Sequence, residues 1–223
     1  NYSELTFHYW FWKNQLNSYK YKDIWIGFCQ KRRFWLQKKE NLNIKLAENI
    51  YLKFLKNIPD EWLNYNSVIC QPIHLTRPKI IKLLKKGWKN LFKDPSIIYD
   101  KKKQNIKLHF DMFHGYGKLD KAIDVMNDKD KNEFRDFVNK STSFNPHIMF
   151  IAKPEILNKW FTDVFTWLSN CEKIFGFEDL KGYETKRLYA YLSERYLSFW
   201  FKKYSNFVEW PYIFVDEKEI SNL

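Results

Sequence analysis

Short apolar runs recur along the chain and predict a small number of buried strands. Residues 24–28, 68–70 and 148–152 are almost continuously apolar, as in strands that are covered on both faces of a parallel sheet. Residues 106–112 alternate between apolar and polar positions, which predicts a fourth strand. Residues 207–215 are strand-like as well. The pattern therefore predicts one sheet whose strands come from the whole chain.

Apolar residues at helical spacing predict the layers that cover this sheet. Most of the long helices fall in the second half of the chain. The predicted helices are residues 2–17, a short helix within 47–55, residues 79–92, 118–127 with its continuation 128–138, 155–171, and 183–204. Helices interleaved with buried strands predict an α/β fold with a helix-rich C-terminal half.

Three cations follow the first predicted strand without a break: Lys31, Arg32 and Arg33. In open α/β sheets, ligands bind beyond the carboxyl ends of the strands, and arginine pairs well with phosphate oxygens. The segment therefore predicts a site for a phosphorylated ligand. The ordinary alternative is a solvated basic loop, because charge runs usually lie on the surface.

Two further pairs of polar residues suggest chemistry. His114 precedes a turn marked by two glycines, and with Asp120 it could form an acid/base pair. Glu4 and His8 lie one helical turn apart in the first helix. In both cases the alternative is a structural histidine or a simple surface contact.

A polar stripe crosses the last predicted helix, which is otherwise apolar. Arg187, Tyr191, Glu194, Arg195 and Ser198 share one face at helical spacing. Charges close to a core are costly unless they are paired or functional. The stripe is therefore either an internal ion network or a site in which Glu194 serves as a base.

Composition limits the choice of partners and compartments. The 223 residues suit a single domain, and the net charge of +12 favours anionic partners such as nucleic acid, lipid headgroups or nucleotide-sugar phosphates. The lysine-rich helix 79–92 is either a solvated face or a surface attracted to anionic lipid. The three cysteines are far apart, which indicates neither a zinc site nor a disulfide framework and favours a reducing cytoplasm. No P-loop, G-x-G-x-x-G or H-E-x-x-H motif occurs.

Four blocks of sequence, in order, carry a resemblance to a known family. They are N-Y-S-E-L-T with Y-W-F-W-K-N near the start, I-G-F-C followed by R-R-F, M-F-I at 149–151, and the positions Arg187, Leu192, Glu194 and Arg195. Together they resemble a bacterial family of capsular-polysaccharide glycosyltransferases, catalogued as a domain of unknown function. The chain departs from the family pattern at Gln30-Lys31, where the family often has His-Tyr.

The resemblance implies a GT-A-like, Rossmann-type mixed sheet that binds a nucleotide-sugar donor. It also implies that residues 1–223 form one glycosyltransferase-like domain that lacks the family's first strands. GT-A enzymes usually hold a metal with a D-x-D motif after a strand. No D-x-D follows a predicted strand here, so we expect the cations to hold the diphosphate directly, with a divalent metal as the less favoured alternative.

From the residues and the resemblance together we assign roles to eleven positions. The expected catalytic residues are Glu194, His114 and Asp120; the expected diphosphate ligands are Lys31, Arg32, Arg33 and Arg195; the expected substrate contacts are Glu4, Asn145, His147 and Arg187. The expected partners are a nucleotide sugar and a polysaccharide or lipid-linked glycan acceptor, with peripheral contact at the cytoplasmic face of the inner membrane. The alternative function is a non-catalytic, basic nucleic-acid-binding protein.

Overall fold

Eight short strands form the β structure in the described part of the protein. The computed structural model describes residues 2–39, 50–75 and 80–216. The strands are β1 (Ile26–Phe28), β2 (Arg33–Trp35), β3 (Ser67–Cys70), β4 (Ile73–His74), β5 (Ser143–Phe144), β6 (Phe150–Ala152), β7 (Phe207–Trp210) and β8 (Tyr212–Phe214).

Helices make up most of the remaining described chain. The α-helices are α1 (Leu5–Asn14), α2 (Ile80–Lys86), α3 (Trp88–Lys93), α4 (Ile106–His114), α5 (Lys118–Asp124), α6 (Asp128–Lys140), α7 (Pro154–Phe175), α8 (Tyr183–Lys186) and α9 (Leu188–Tyr204). Single 3-10 turns connect several elements, at Leu16–Tyr19, Ile50–Lys53, Asp60–Trp62, Pro95–Ile98 and Lys101–Lys103. Among the described residues, no helix combines the length and the apolar character needed to cross a bilayer.

The central sheet has four strands in the order β1-β6-β3-β7. Strand β6 is antiparallel to both β1 and β3, whereas β3 and β7 are parallel. The carboxyl ends of β1, β3 and β7 therefore lie at the same edge of the sheet, beside the start of β6. Two ribbons, β2 with β8 and β4 with β5, complete the β structure.

The predicted class, a mixed α/β sheet flanked by helices, is confirmed. The predicted environment of the first strand is wrong, because β1 is an edge strand with antiparallel pairing rather than a buried parallel strand. Only Phe28 of this strand is fully buried.

The main core lies between the sheet and the long helices α7 and α9. The predicted apolar stripe of α7 is buried, including Trp160 at 0% exposure. The Trp160 ring packs 5.4 Å from Trp200 of α9 and 6.1 Å from Phe150 of β6. These aromatic contacts fix α9 beneath the sheet, and α9 carries the polar stripe.

The strand predicted at residues 106–112 is wrong, because this segment is helix α4. The side chain of Asn105 caps the helix by accepting a hydrogen bond from the backbone N–H of Leu108 (2.9 Å). The helix is buried over much of its circumference, and Ile106, Phe110 and Met112 are all in the core. When a helix is buried on several sides, its apolar residues are not confined to one face, so the sequence does not show the 3.6-residue spacing of a helix.

Several predicted helices have different bounds. The first helix ends at Asn14 rather than residue 17, and the last is divided at Arg187. The basic helix is divided at Gly87, where an added Cβ would lie 2.9 Å from the carbonyl oxygen of Leu83. The start of that basic helix, at residues 78–79, lies outside the described residues, as do residues 47–49 of the helix predicted within 47–55. The described remainder of that segment is a 3-10 turn at Ile50–Lys53 rather than an α-helix.

Candidate functional site

A pocket of about 360 Å³ lies at the edge of the sheet where β1 ends and β6 begins. Its size is within the range of small-molecule sites. Its lining includes seven of the predicted site residues. The lining residues are Glu4, Gln30, Lys31, Arg32, Arg33, His147, Ile148, Arg187, Ala190, Tyr191, Glu194 and Phe214.

A tight turn between β1 and β2 presents the cations to this pocket. The backbone N–H of Arg33 donates to the carbonyl oxygen of Gln30 (3.1 Å), and Arg32 adopts a left-handed φ of 65°. The guanidinium groups of Arg32 and Arg33 lie 5.1 and 5.3 Å from the centre of the Phe214 ring. One aromatic ring of β8 therefore holds both arginines at the wall of the pocket.

His147 connects Arg33 to the opposite wall. Its Nε2 accepts a hydrogen bond from Nε of Arg33 (3.1 Å) and lies 3.2 Å from the hydroxyl of Tyr212. Burial, together with the charge of Arg33, lowers the pKa of His147 to about 4. The imidazole is therefore neutral at pH 7, and with Nε2 as acceptor its proton is on Nδ1.

Glu194 lies on the α9 side of the pocket. Its Oε1 accepts a hydrogen bond from the backbone N–H of His147 (2.5 Å), and its Oε2 is paired with Nη1 of Arg195. Burial would raise the pKa of Glu194, but the charge of Arg195 and the N–H of His147 outweigh burial and hold the pKa below its usual value. The carboxyl group is therefore ionised at neutral pH, and its side chain is still 16% exposed to the pocket.

Arg195 lies behind Glu194, and its predicted direct contact with a diphosphate needs correction. The residue is 1% exposed and does not line the pocket. Its Nη2 approaches Nδ1 of His109 (3.2 Å) and Nε2 of His114 (3.5 Å), and its guanidinium lies 3.9 Å from the Phe144 ring. Arg195 therefore supports Glu194 from the core.

Glu4 and Arg187 form a second ion pair at the pocket wall. Nη2 of Arg187 lies 3.0 Å from Oε2 of Glu4 and 2.7 Å from the hydroxyl of Ser3. Burial would raise the pKa of Glu4, but the hydroxyl of Ser3 and the charge of Arg187 lower it. His8, one turn from Glu4, is a core residue instead: its ring packs 4.3 Å from Phe28.

His114 reaches the pocket only through a neighbour. Its ring stacks on Tyr191 at 3.7 Å, and Tyr191 lines the pocket. Asp120 does not form the predicted acid/base pair with His114, since its carboxylate is engaged by Lys107 (2.5 Å) and Arg135 (3.8 Å). Asp120 is therefore part of a surface ion network outside the pocket.

Asn145 is fully buried, so the predicted substrate contact is also corrected. Its Nδ2 donates to the carbonyl oxygen of Cys70 (2.6 Å) and to Oε1 of Glu209 (2.9 Å), and its Oδ1 accepts from the hydroxyl of Ser198. These contacts tie the loop before β6 to β3, β7 and α9. Asn145 positions His147, two residues later, rather than contacting a ligand.

The acidic residues of the pocket do not form a metal centre by themselves. Within the ranges that the structure describes, no group of three or more His, Cys, Asp or Glu side chains is arranged to hold a metal. The two carboxylates of the pocket, Glu4 and Glu194, are each paired with an arginine. This donor set does not fit a divalent ion held by protein side chains alone.

Comparison with protein families identifies the chain. Residues 1–206 match the family described as Domain of unknown function (DUF4422). The chain belongs to the DUF4422 family. No curated protein was found to match the sequence.

Among solved structures, the DUF4422 chain is similar to WbbM, a bifunctional glycosyltransferase in its apo form. The TM-score is 0.67 and the sequence identity is 17%. The similarity covers 97% of the DUF4422 chain but 37% of WbbM, so the chain spans little more than a third of that protein. At this identity, the likeness establishes a shared fold.

Sequence patterns missed three residues of the DUF4422 site: His109, Tyr212 and Phe214. His109 fell within the segment that was predicted as a strand, and the other two belong to β8, far along the chain. His109 contacts Arg195, Tyr212 contacts His147, and Phe214 contacts Arg32 and Arg33. Such contacts have no periodic signal in the sequence.

Proposed function

We propose that the protein is a glycosyltransferase that moves a sugar from a nucleotide-sugar donor to a hydroxyl group of a growing surface polysaccharide or lipid-linked glycan. The observation that carries this proposal is the pocket at the carboxyl edge of the sheet, where Lys31, Arg32 and Arg33 face the ionised Glu194. The fold shared with the glycosyltransferase WbbM supports the same function.

The basic turn would bind the diphosphate of the donor. As the bond from the sugar to the phosphate breaks, negative charge grows on the departing oxygen, and preorganised cations stabilise that charge. In the described chain, the hydrogen bond of Arg33 uses Nε, so its two terminal nitrogens can donate to phosphate oxygens as a pair. The ring of Phe214 keeps Arg32 next to Arg33.

Glu194 would act as the general base on the acceptor. The acceptor oxygen attacks the anomeric carbon and its proton passes to Glu194, while the electron pair of the sugar–phosphate bond leaves with the nucleoside diphosphate. A base must be unprotonated before the reaction, and Arg195 with the N–H of His147 keeps Glu194 in that form.

A thermal-shift screen against nucleoside diphosphates and nucleotide sugars tests the donor site. A ligand that binds only the folded state raises Tm, so we expect at least one nucleotide sugar and its matching diphosphate to do so. A transfer assay with that donor then tests Glu194→Gln, which we expect to retain donor binding and lose most turnover. Normal turnover in this variant would show that Glu194 is not the base. If no nucleotide or nucleotide sugar raised Tm and the protein bound nucleic acid tightly, the proposal would be contradicted.

Metal dependence is tested separately. We expect turnover to persist in EDTA, because in this proposal the cations of the basic turn would neutralise the diphosphate in place of a metal. Loss of turnover in EDTA with recovery in Mn²⁺ or Mg²⁺ would show that the arginines do not suffice.

A further inference from the structure

Helices α2 and α3 expose a stripe of large apolar side chains to solvent. Ile81 is 66% exposed, Leu84 53%, Trp88 58% and Phe92 86%. They follow one another in steps of three and four residues, two in each of the consecutive helices, and all four lie on the solvent side. We call these four residues the apolar stripe. Soluble proteins seldom leave such a row uncovered without a partner.

A second row of side chains on the same helices is entirely cationic. At a helical turn of about 100° per residue, this lysine row lies directly beside the apolar stripe. It consists of Lys82, Lys85, Lys86, Lys89 and Lys93, and residues 80–93 contain no Asp or Glu. Nζ of Lys89 lies 5.6 Å from the ring of Trp88, so the two rows touch.

The third face of these helices attaches them to the protein. Leu83 is 1% exposed and packs in a small core with Ile97, Leu108 and Met112, and Leu91 joins its edge. Helix α4 supplies two of these residues. The core uses Leu83 and Leu91, and none of the four residues of the apolar stripe belongs to it.

We propose that the apolar stripe and the lysine row together dock the protein on an anionic lipid bilayer. Helices with one apolar face and one lysine-rich face lie in the plane of the membrane interface, where tryptophan and phenylalanine enter the headgroup region and lysines contact anionic headgroups. Nucleic acid would match the lysines but would leave Ile81, Leu84 and Phe92 in water. This inference does not depend on the proposed catalytic activity.

Co-sedimentation of the 223-residue protein with vesicles tests the proposal. We expect the protein to pellet with vesicles that contain phosphatidylglycerol and to stay in solution with pure phosphatidylcholine. Each lysine near an anionic surface contributes about fivefold in affinity, so K85Q/K89Q should weaken binding by about 25-fold. Removing the two aromatic rings of the apolar stripe in W88S/F92S should weaken binding by at least about tenfold.

A matched control removes aromatic surface elsewhere. Phe7 and Trp10 of α1 are also exposed, at 57% and 48%, and F7S/W10S should bind vesicles as the unmodified protein does. Circular dichroism confirms that all variants are folded. Equal binding to neutral vesicles, an equal loss in the control, or lipid-free self-association that W88S/F92S abolishes would each overturn the proposal.

Discussion

Substitution of Arg195 by methionine is the sharpest test of how the site is held together. Methionine replaces the aliphatic part of the side chain but removes the guanidinium, so it loses the contact with the Phe144 ring and leaves the carboxylate of Glu194 without its charged partner. Removing one member of a buried ion pair costs about 3–5 kcal/mol. We therefore expect Arg195→Met to reduce the free energy of unfolding by about this amount at neutral pH.

The loss should depend on pH in a definite direction. In the unmodified protein the pKa of Glu194 is lowered, so its contribution to stability is present above its unfolded pKa and is lost as pH falls through the folded pKa. In Arg195→Met, burial is no longer opposed by the guanidinium, and the pKa of Glu194 rises above its usual value. The loss in the free energy of unfolding of the variant should therefore be largest at neutral pH. It should shrink in acid, where Glu194 of the folded variant is protonated and uncharged.

Urea denaturation at about pH 7 and about pH 5 measures both effects. The control is Arg135→Met, which breaks the surface ion pair with Asp124 (2.8 Å), whose side chain is 64% exposed. This substitution should lower the free energy of unfolding by no more than about 1 kcal/mol. An equally small loss for both variants, or a deficit for Arg195→Met that does not change with pH, would refute the reasoning.

Two further substitutions test the supports of the site. In Asn145→Asp, the amide that donates to the carbonyl oxygen of Cys70 and to Glu209 becomes a buried carboxylate that faces two acceptors. We expect a loss of roughly 3 kcal/mol in the free energy of unfolding. An unchanged urea midpoint would contradict the burial of this contact. Asn105→Ala removes the cap of α4 at Leu108 and should cost about 1 kcal/mol in the same assay, whereas no cost would show that the cap is not formed in solution.

The basic turn and the stripe on α9 could be predicted because each has a local signal. Lys31 to Arg33 follow a short apolar run, and the structure places them beyond the end of β1 at the pocket. Residues Arg187, Tyr191 and Glu194 share a helical face in the sequence and line the same pocket. In both cases, neighbours in the chain remain neighbours in the site.

Contacts between distant segments could not be predicted in this way. Arg187 and Glu4 are 183 positions apart, so their pairing depends on the complete fold. Arg195 has the same charge as Arg33, yet one lies in the core and the other at the pocket wall. Composition and spacing do not separate these cases, because burial of a charge is decided by partners such as His109 and Phe144.

Titration calorimetry of a nucleoside diphosphate most directly tests whether the basic turn holds the donor. Charge-assisted hydrogen bonds contribute about 1.5–3 kcal/mol each, so R32Q/R33Q should weaken binding by at least about 100-fold. Arg135→Gln, on the surface network of Asp120, should leave the affinity unchanged. A Kd that is the same in R32Q/R33Q as in the unmodified protein would contradict the account.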